Sequence, residues 1–293
     1  MKKFAFISFL FFCGCAQQND SLRSEVSQIA QQAEGIVGVS IENIETGDTL
    51  SFNGDYHCPM QSVFKFPIAI AILNMIDNGK LSLEQKVHLN QLDFADTTTW
   101  SPIRDKYHGK DTAVTINELL QYVVTQSDNT ACDKLLEIAG GVKEVENYIH
   151  TIGVQGMAIA ATEREMHADN TLQYKSWCEP KEMTHLLKLF YEGKCLSKSS
   201  RAYLLNTLQE TATGTKRIKG LLPEGTIVAH KTGSSGTLNG ITPATNDAGI
   251  ITLPNGKHLI VSVFVTDAKA NDSIRDAVIA QIAKAAYDKM GSK

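Results

Sequence analysis

The sequence has only a small excess of negative charge, and beyond its first residues it has no apolar segment long enough to span a bilayer. Its 293 residues include 28 lysines and arginines and 32 aspartates and glutamates, and no basic stripe is interleaved with aromatic residues. We therefore expect no nucleic-acid partner. The composition, 43% hydrophobic and 20% charged, is typical of a globular protein, and no repeat, low-complexity tract or Pro-rich linker divides the chain.

The sequence also lacks a CxxC pair. Beyond residue 15 it has four cysteines, Cys58, Cys132, Cys178 and Cys195, and none stands at zinc-ligand spacing from a histidine. We therefore expect no metal and no organic cofactor. Some of the cysteines could pair in an exported chain, although buried free thiols are the more common arrangement.

The first residues, "MKKFAFISFLFFCGCAQQND", have the pattern of an export signal. Two lysines precede an apolar run that ends at Phe12, which is too short to span a bilayer, and small residues follow. We predict a signal peptide over residues 1–15 and a periplasmic protein. Cys15 also fits a lipoprotein signal, so simple cleavage and lipid attachment stay open as alternatives.

The patterns typical of β structure lie at both ends of the chain. Residues 36–54 alternate around "ETGD", and residues 249–267 form two β-rich runs joined by "PNG". Helical patterns cover residues 20–35 and 273–290. These segments predict one antiparallel sheet built from both termini and flanked by the terminal helices.

Between the two ends, the spacing of apolar residues is helical. The sequence thus predicts an α+β fold in which an all-α subdomain is inserted into the sheet-containing part. We place the α/β part at about residues 20–58 and 215–293 and the all-α part at about 59–214, within a single domain over 16–293. A cleft between the two parts is the expected position of a functional site.

Ser62 and Lys65 stand at the start of an almost wholly apolar segment, "SVFKFPIAIAILNMI". Residues three apart on a helix project from one face, and Pro67 suits the first turn, which places Ser62 near the positive end. A desolvated lysine can accept the proton of a serine hydroxyl and so activate it as a nucleophile. By itself, such a pair is common in any chain of this length.

Two further motifs change this interpretation. "SDN" at residues 127–129 precedes a helical pattern, and "KTG" at residues 231–233 ends a β-rich run. Alone, the first is usually a helix cap and the second a turn, but all three motifs in this order indicate a catalytic site. His230, next to Lys231, is expected to be only a strand residue.

The combination of "SVFK", "SDN" and "KTG" resembles the class A serine β-lactamases and the related penicillin-binding proteins, over essentially the whole mature chain. "PMQSVFKF" is similar to the Bacteroidota and extended-spectrum branch of class A. The resemblance implies a β-lactamase/transpeptidase-like fold. It further implies hydrolysis of penicillins and cephalosporins through a serine acyl-enzyme, antibiotic resistance, and a monomer that touches the membrane only through a lipid on Cys15.

The resemblance also implies roles for single residues. Ser62 would be the nucleophile, and its proton would go to Lys65 or, through a water, to Glu163. Ser127 would deliver a proton to the lactam nitrogen, and the backbone N–H groups of Ser62 and Ser234 would hold the oxyanion. The implied substrate-binding residues are Asn129, for the acylamino carbonyl, Lys231 and Thr232, for the carboxylate, and Gly233. Trp100 would be an aromatic wall of the cleft, or a loop residue packed for stability.

Deacylation in class A uses a glutamate in the pattern Glu, two residues, Leu, Asn, which this chain matches only loosely as "TEREMHADN". Counting from Glu163, Met166 replaces the leucine and His167 the asparagine. Glu165 gives a poorer match and is expected to be a solvated loop charge. We therefore assign the role to Glu163 and expect His167 to donate a hydrogen bond to a water or to Glu163.

The loop that carries Glu163 departs from the family in a second way. Ala161 and Ser176 occupy the positions of the Arg and Asp that clamp this Ω-loop. A rearranged loop would widen the pocket for bulky cephalosporin side chains. The alternatives are a penicillin-binding DD-peptidase, which lacks a deacylating glutamate, and a β-lactam sensor, which normally follows transmembrane segments.

Overall fold

The computed structural model describes residues 10–291 of the chain. Residues 1–9 of the predicted signal peptide lie outside the described residues. Cleavage of the signal peptide and lipid attachment at Cys15 stay predictions. Helix α1 runs over Leu10–Gln31 and includes the first of the helices expected from the sequence. Within residues 10–291, no helix is both long and apolar enough to cross a membrane.

A five-stranded antiparallel sheet is built from both ends of the chain, as predicted. Its order is β2-β1-β10-β9-β8. The expected hairpin turns at "ETGD" and "PNG" join β1 to β2 and β9 to β10. The strands are β1 (Ile36–Asn43), β2 (Thr49–Phe52), β8 (Val228–Ser234), β9 (Thr242–Thr252) and β10 (His258–Ala268).

Both faces of this sheet are covered, which explains why its central strands are apolar on both sides. Helix α1 and the C-terminal helix α10 (Asp272–Met290) cover one face. On β10, Val261 and Val263 pack with these helices, whereas Ile260 and Phe264 point to the opposite core. Side chains on a strand alternate between faces, so one strand contributes to two cores.

The second core belongs to the middle of the chain, where the predicted helices are found. Helix α2 is buried continuously from Lys65 to Leu73, as its composition predicts. The helices are α2 (Lys65–Asp77), α3 (Pro102–Tyr107), α4 (Ile116–Thr125), α5 (Asn129–Ile138), α6 (Val142–Thr151), α7 (Glu163–Ala168), α8 (Pro180–Tyr191) and α9 (Lys198–Gln209).

The middle segment is not wholly helical, and the expectation of an all-α part over 59–214 is wrong in this respect. It contains two small sheets with the orders β3-β7-β6 and β4-β5. Strands of two to four residues are too short to show a period of two, which is why the sequence did not reveal them. They are β3 (Cys58–Pro59), β4 (Lys86–Leu89), β5 (Thr112–Thr115), β6 (Met157–Ala158) and β7 (Trp177–Cys178).

The four cysteines outside the N-terminal segment are buried and free in this structure. Burial raises the pKa of the Cys58 thiol to about 12 and raises that of Cys178 as well, so both stay protonated at neutral pH. They contribute to the apolar core as small side chains.

Candidate active site

The predicted nucleophile lies in a short 3₁₀ turn, Gln61–Phe64, that leads directly into α2. Lys65 is the first residue of the helix and has no solvent exposure. Its Nζ donates a hydrogen bond to Ser62 Oγ over 3.0 Å. The expected arrangement of hydroxyl and amine on one face, one turn apart, is therefore confirmed.

Lys65 Nζ is surrounded by oxygen acceptors. It donates to Asn129 Oδ1 at 2.6 Å and to the Ser127 backbone oxygen at 2.7 Å, and it lies 2.7 Å from Glu163 Oε1. An ammonium group has three protons to share among these acceptors and Ser62 Oγ. Lys65 can act as a base only after it gives up a proton, and the carboxylate of Glu163 is in position to take it.

Ser127 lies between the two lysines of the site. Its backbone has φ = 59°, in the left-handed region that non-glycine residues seldom adopt. Ser127 Oγ accepts a hydrogen bond from Lys231 Nζ at 2.9 Å and lies 3.5 Å from Lys65 Nζ. Asp128 caps α5 by accepting from the Ala131 N–H, so "SDN" precedes a helix as predicted.

Lys231 is buried in β8, near the end of the strand where the sequence places "KTG". Burial, followed by the charge of Lys65, holds the pKa of Lys231 well below its usual range. Its amine donates to Ser127 Oγ and to the Thr232 backbone oxygen, and within residues 10–291 it contacts no carboxylate directly. The Thr232 hydroxyl lies 2.5 Å from that of Thr213.

Gly233 brings β8 against the nucleophile turn. A Cβ at this position would lie 2.4 Å from the Met60 backbone oxygen and 3.1 Å from the Ser62 nitrogen. No other residue fits without moving the strand. The close approach places the residue after Gly233, Ser234, beside the Ser62 turn, where two backbone N–H groups can converge on one oxyanion.

Arg217 supports the outer side of this strand and was not predicted from the sequence. Its Nη1 donates to the backbone oxygens of Gly233 (3.0 Å) and Asn246 (2.8 Å), and its Nη2 donates to Ser234 Oγ (2.7 Å). Asp276 of α10 accepts from its Nε at 2.7 Å. Nothing in "GTKRIKG" distinguishes this arginine from a surface one, so the sequence contains no signal for it.

Glu163 is the first residue of α7, and only 8% of it is exposed. Its carboxylate oxygen Oε1 lies 3.5 Å from Ser62 Oγ. Glu165, the alternative, points elsewhere because it forms a capping box with Thr162. Glu165 is exposed, as expected of a solvated charge, and it lies in the first turn of α7 rather than in a loop.

Asp133, on α5, fixes the start of α7 and was also missed by the sequence analysis. Its two oxygens accept from the backbone N–H groups of Glu163 (2.8 Å) and Arg164 (3.0 Å). Burial, which outweighs these hydrogen bonds, raises the pKa of Asp133 to about 6, and the nearby charge of Glu163 adds to the rise. The site thus contains, next to Glu163, a carboxyl group whose own pKa lies in the mildly acidic range.

The Ω-loop is held by contacts other than an Arg–Asp clamp. Ala161 is buried, and Ser176 Oγ accepts from the Ala160 N–H at 3.1 Å. Farther along, Gln61 Nε2 donates to Gln173 Oε1 over 2.6 Å, which ties the loop to the nucleophile turn. These hydrogen bonds fasten both ends of the loop.

His167 and Trp100 lie at the rim of the site. His167 Nε2 is 3.1 Å from Thr98 Oγ1, and within the described residues it makes no hydrogen bond to Glu163, contrary to one of the two expectations. Trp100 is 61% exposed and anchored by a hydrogen bond from Nε1 to the Gln126 backbone oxygen. Both side chains line a cavity of about 780 Å³ that also reaches Glu163, Asn129 and Ser234.

The chain matches the model of the β-lactamase enzyme family over residues 21–290, and it belongs to that family. It is 43% identical to β-lactamase VEB-1 of Pseudomonas aeruginosa over 92% of this chain and 91% of that protein. It is 42% identical to the extended-spectrum β-lactamase PER-1 of the same organism over 92% and 87% of the two chains.

A solved structure gives the same result for the fold. The crystal structure of a β-lactamase from Chitinophaga pinensis superposes with a TM-score of 0.90 at 49% identity, covering 92% of this chain and 99% of that one. The α+β fold expected from the class A resemblance is thereby confirmed.

Proposed function

We propose that this protein hydrolyses the β-lactam amide bond through an acyl-enzyme on Ser62 and so confers resistance to β-lactam antibiotics. The observation that carries the proposal is the buried carboxylate of Glu163, 2.7 Å from Lys65 Nζ and 3.5 Å from Ser62 Oγ. A base in that position can activate a water against the acyl-enzyme, and a penicillin-binding DD-peptidase lacks the corresponding glutamate.

Acylation begins when Ser62 Oγ loses its proton and attacks the lactam carbonyl. The immediate acceptor is Lys65 once Glu163 has taken its ammonium proton, or Glu163 itself through a water. The C–N bond of the lactam then breaks, and Ser127 donates a proton to the departing nitrogen. Lys231, 2.9 Å from Ser127 Oγ, can replenish that proton or stabilise the alkoxide.

The substrate is oriented by three groups. Lys231 and Thr232 bind its carboxylate, by charge and by a hydrogen bond respectively, and the side-chain amide of Asn129 binds its acylamino carbonyl. The backbone N–H groups of Ser62 and Ser234 stabilise the oxyanion, each by about 3 kcal/mol. Gly233 is what allows β8 to approach closely enough for this.

Deacylation requires a water activated by Glu163, attack on the ester carbonyl, and return of the proton to Ser62. Asp133 accepts hydrogen bonds from two backbone N–H groups at the start of α7. These bonds fix the backbone of Glu163 and so help to orient its carboxylate. Glu163 therefore acts in the second half of the reaction whichever base acts in the first.

We assign penicillins and cephalosporins with bulky side chains as the substrate class. A cavity of about 780 Å³ with the exposed Trp100 at its rim is large enough to receive such side chains. The relative PER-1 is named an extended-spectrum enzyme, which supports the same assignment. His167 and Thr98 border the cavity where the side chain of the substrate would enter.

We further propose export to the periplasm, removal of residues 1–15 or acylation of Cys15, and a monomeric mature enzyme. The positive start and short apolar run of the first residues support export. Periplasmic placement suits the proposed reaction, because the antibiotic is then intercepted before it reaches its target.

The test is to mix the purified mature protein with a chromogenic cephalosporin and with a penicillin, following turnover optically and protein mass in parallel. Fast multiple turnover with little adduct would support a β-lactamase. A stoichiometric burst that leaves a persistent adduct on Ser62 would instead indicate a penicillin-binding protein or sensor, and Glu163 would lose its assigned role.

A further inference from the structure

We propose that a second cavity, which also borders Glu163, holds and supplies the water that hydrolyses the acyl-enzyme. The β-lactam would then enter through the cavity of about 780 Å³, and its co-substrate, water, would enter through the smaller one. The proposal rests on the proposed function, because it concerns the deacylation step of that reaction.

The second cavity has a volume of about 300 Å³ and is lined by residues of the segment 91–99 and of helices α5 and α7. Three of its lining residues, Gln91, Leu92 and Arg164, are exposed, whereas Glu163 is buried. The cavity therefore leads from solvent to the catalytic carboxylate. A water molecule takes up about 30 Å³ in the liquid, so the cavity has room for on the order of ten waters.

Polar groups are available to waters in this cavity. The side chains of Thr99, Asn129 and Asp133 line it together with Glu163. The two oxygens of Asp133 accept from the backbone N–H groups of Glu163 and Arg164, and each oxygen has a second lone pair for a further donor. A water inside a protein is stable where it finds two to four polar partners, and this lining offers them.

A chain of hydrogen bonds forms a boundary between the two cavities. His167 lines both of them, Thr98 lines the larger one, and Asp96 lines the smaller one. The Thr98 hydroxyl donates to Asp96 Oδ1 at 2.7 Å and lies 3.1 Å from His167 Nε2. Because the threonine proton is directed at Asp96, His167 is the donor in the second contact. A bulky side chain in the larger cavity therefore leaves the smaller one open.

Glu163 has one carboxylate oxygen left for a water. Its Oε1 is the atom that lies 2.7 Å from Lys65 Nζ and 3.5 Å from Ser62 Oγ. Within residues 10–291, Oε2 makes no hydrogen bond to the protein, and it is not one of the buried polar atoms that lack a partner in that region. Solvent therefore reaches Oε2, which can accept from a water while Oε1 keeps its contact with Lys65.

Deacylation consumes one water in each turnover. Glu163 takes a proton from that water, the water oxygen forms a bond to the acyl carbon, and the ester bond to Ser62 Oγ breaks. Ser62 Oγ leaves with the proton that Glu163 accepted. In the acyl-enzyme of a bulky substrate, the acyl side chain fills the larger cavity, so the next water must come by another path.

Filling the second cavity tests the proposal. Ala95 lines the cavity, and its backbone is fixed because its N–H donates to Thr130 Oγ1 at 2.8 Å. Ala95→Leu would place a larger apolar side chain where the waters are expected. Ala95→Ser is the matched control, since it changes the volume little and keeps the lining polar.

A second variant blocks the mouth of the cavity without changing its interior. Leu92 is 81% exposed, and the four cysteines beyond residue 15 are buried, so a thiol reagent would label Leu92→Cys selectively in the mature protein. A bulky maleimide would obstruct the mouth. A methanethiosulfonate that adds only a thiomethyl group is the control on the same protein.

We would measure deacylation by intact-protein mass after a single addition of either of two cephalosporins that share a nucleus. One has an acetyl side chain and the other a bulky aryl-oxyimino side chain. We expect Ala95→Leu, and Leu92→Cys with the maleimide, to slow deacylation of the bulky substrate by on the order of tenfold. Acylation, and deacylation of the acetyl substrate, should change little, because water can then still enter through the larger cavity. The two controls should match the wild type.

Equal slowing of both substrates would overturn the proposal, since it would mean that Glu163 itself has been displaced. So would wild-type deacylation of the bulky substrate in an Ala95→Leu protein whose melting temperature shows that it is folded. If Ala95→Leu does not fold, the labelled Leu92→Cys protein decides the question by the same comparison. A persistent adduct on the wild type would instead refute the proposed function, and the water route with it.

Discussion

Lys65 Nζ and Glu163 Oε1 lie 2.7 Å apart, with Ser62 Oγ in reach of both, at 3.0 and 3.5 Å respectively. The contact joins the first residue of α2 to the first residue of α7. One carboxylate can therefore take a proton from the lysine before acylation and from a water after it. A variant that keeps the hydrogen bond and abolishes the base shows how strongly acylation and deacylation each depend on this carboxylate.

Glu163→Gln is that variant. The amide oxygen can still accept from Lys65, but the group can no longer take a proton. We expect penicillin still to label Ser62 stoichiometrically, but more slowly than in the wild type because Lys65 loses its proton acceptor, and deacylation to fall further, by about 10²- to 10⁴-fold. The mass of the intact protein, followed over time after a single addition of penicillin, measures both steps.

Glu165→Ala is the matched control two residues away. It removes the side-chain half of the capping box on Thr162, so the free energy of unfolding should fall by about 1 kcal/mol. Turnover should be unaffected. Rapid turnover by Glu163→Gln together with a stalled acyl-enzyme in Glu165→Ala would reverse the assignment of the two glutamates.

Gly233→Ala tests the contact between β8 and the nucleophile turn. The added methyl would lie 2.4 Å from the Met60 backbone oxygen, so the strand must move away from Ser62. We expect the acylation rate to fall by about 10²-fold, because a displacement of this size misaligns the oxyanion donors. Stopped-flow measurement of acylation by a chromogenic cephalosporin gives the rate.

The control for stability is Gly236→Ala, where the same methyl would meet nothing within 4 Å. Its melting temperature should equal that of the wild type. If Gly233→Ala acylates at the wild-type rate, the backbone of β8 does not need to lie this close to Ser62.

The motif residues are the part of the site that the sequence could predict. Ser62 and Lys65 are brought together by helix geometry alone, and the buried character of α2 follows from its composition. The contact of Lys231 with Ser127, 104 positions apart, was not predicted, since the resemblance to the family implied only a separate role for each residue. Local rules give the first contact, whereas the second depends on the tertiary fold.

The residues that hold the site residues in place could not be predicted, because they too make contacts that depend on the tertiary fold. Arg217 and Asp133 contact residues that are distant in sequence, and each is an ordinary polar residue in its own segment. The direction of His167 towards Thr98, 69 positions away, likewise depends on how the Ω-loop folds. Side-chain orientation in such a loop follows from packing against other segments, which no local pattern records.

Variants of Trp100 can show whether this residue contributes to substrate binding or to the stability of the fold. Because Trp100 is 61% exposed, Trp100→Ala should cost only on the order of 2 kcal/mol of unfolding free energy, less than the loss of a fully buried tryptophan. We expect KM for a bulky cephalosporin to rise several-fold with kcat little changed, since ground-state and transition-state contacts are lost together. Trp100→Phe retains the aromatic wall and loses only the hydrogen bond to Gln126, so its KM should stay near that of the wild type. Equal KM values in all three proteins would mean that the indole contributes no wall.

Asp133 gives the stability of the protein a pH dependence of known sign. Burial raises its pKa to about 6, whereas an exposed aspartate titrates near 4, so the folded state binds this proton more tightly than the unfolded state. The resulting contribution to stability is present below about pH 4 and is lost as pH rises to 6, by roughly 3 kcal/mol.

Asp133→Asn removes that titration but keeps an acceptor for one of the two backbone N–H groups of α7. We therefore expect the unfolding free energy of the variant, relative to wild type, to increase between pH 4 and 6 in urea titrations. Asp169→Asn is the control of opposite sign. Asp169 is exposed and its pKa is lowered by hydrogen bonds from Thr171, so its contribution is lost as pH falls. A difference between wild type and Asp133→Asn that stays constant from pH 4 to 7 would show that this carboxyl group titrates normally, and that its two hydrogen bonds balance its burial.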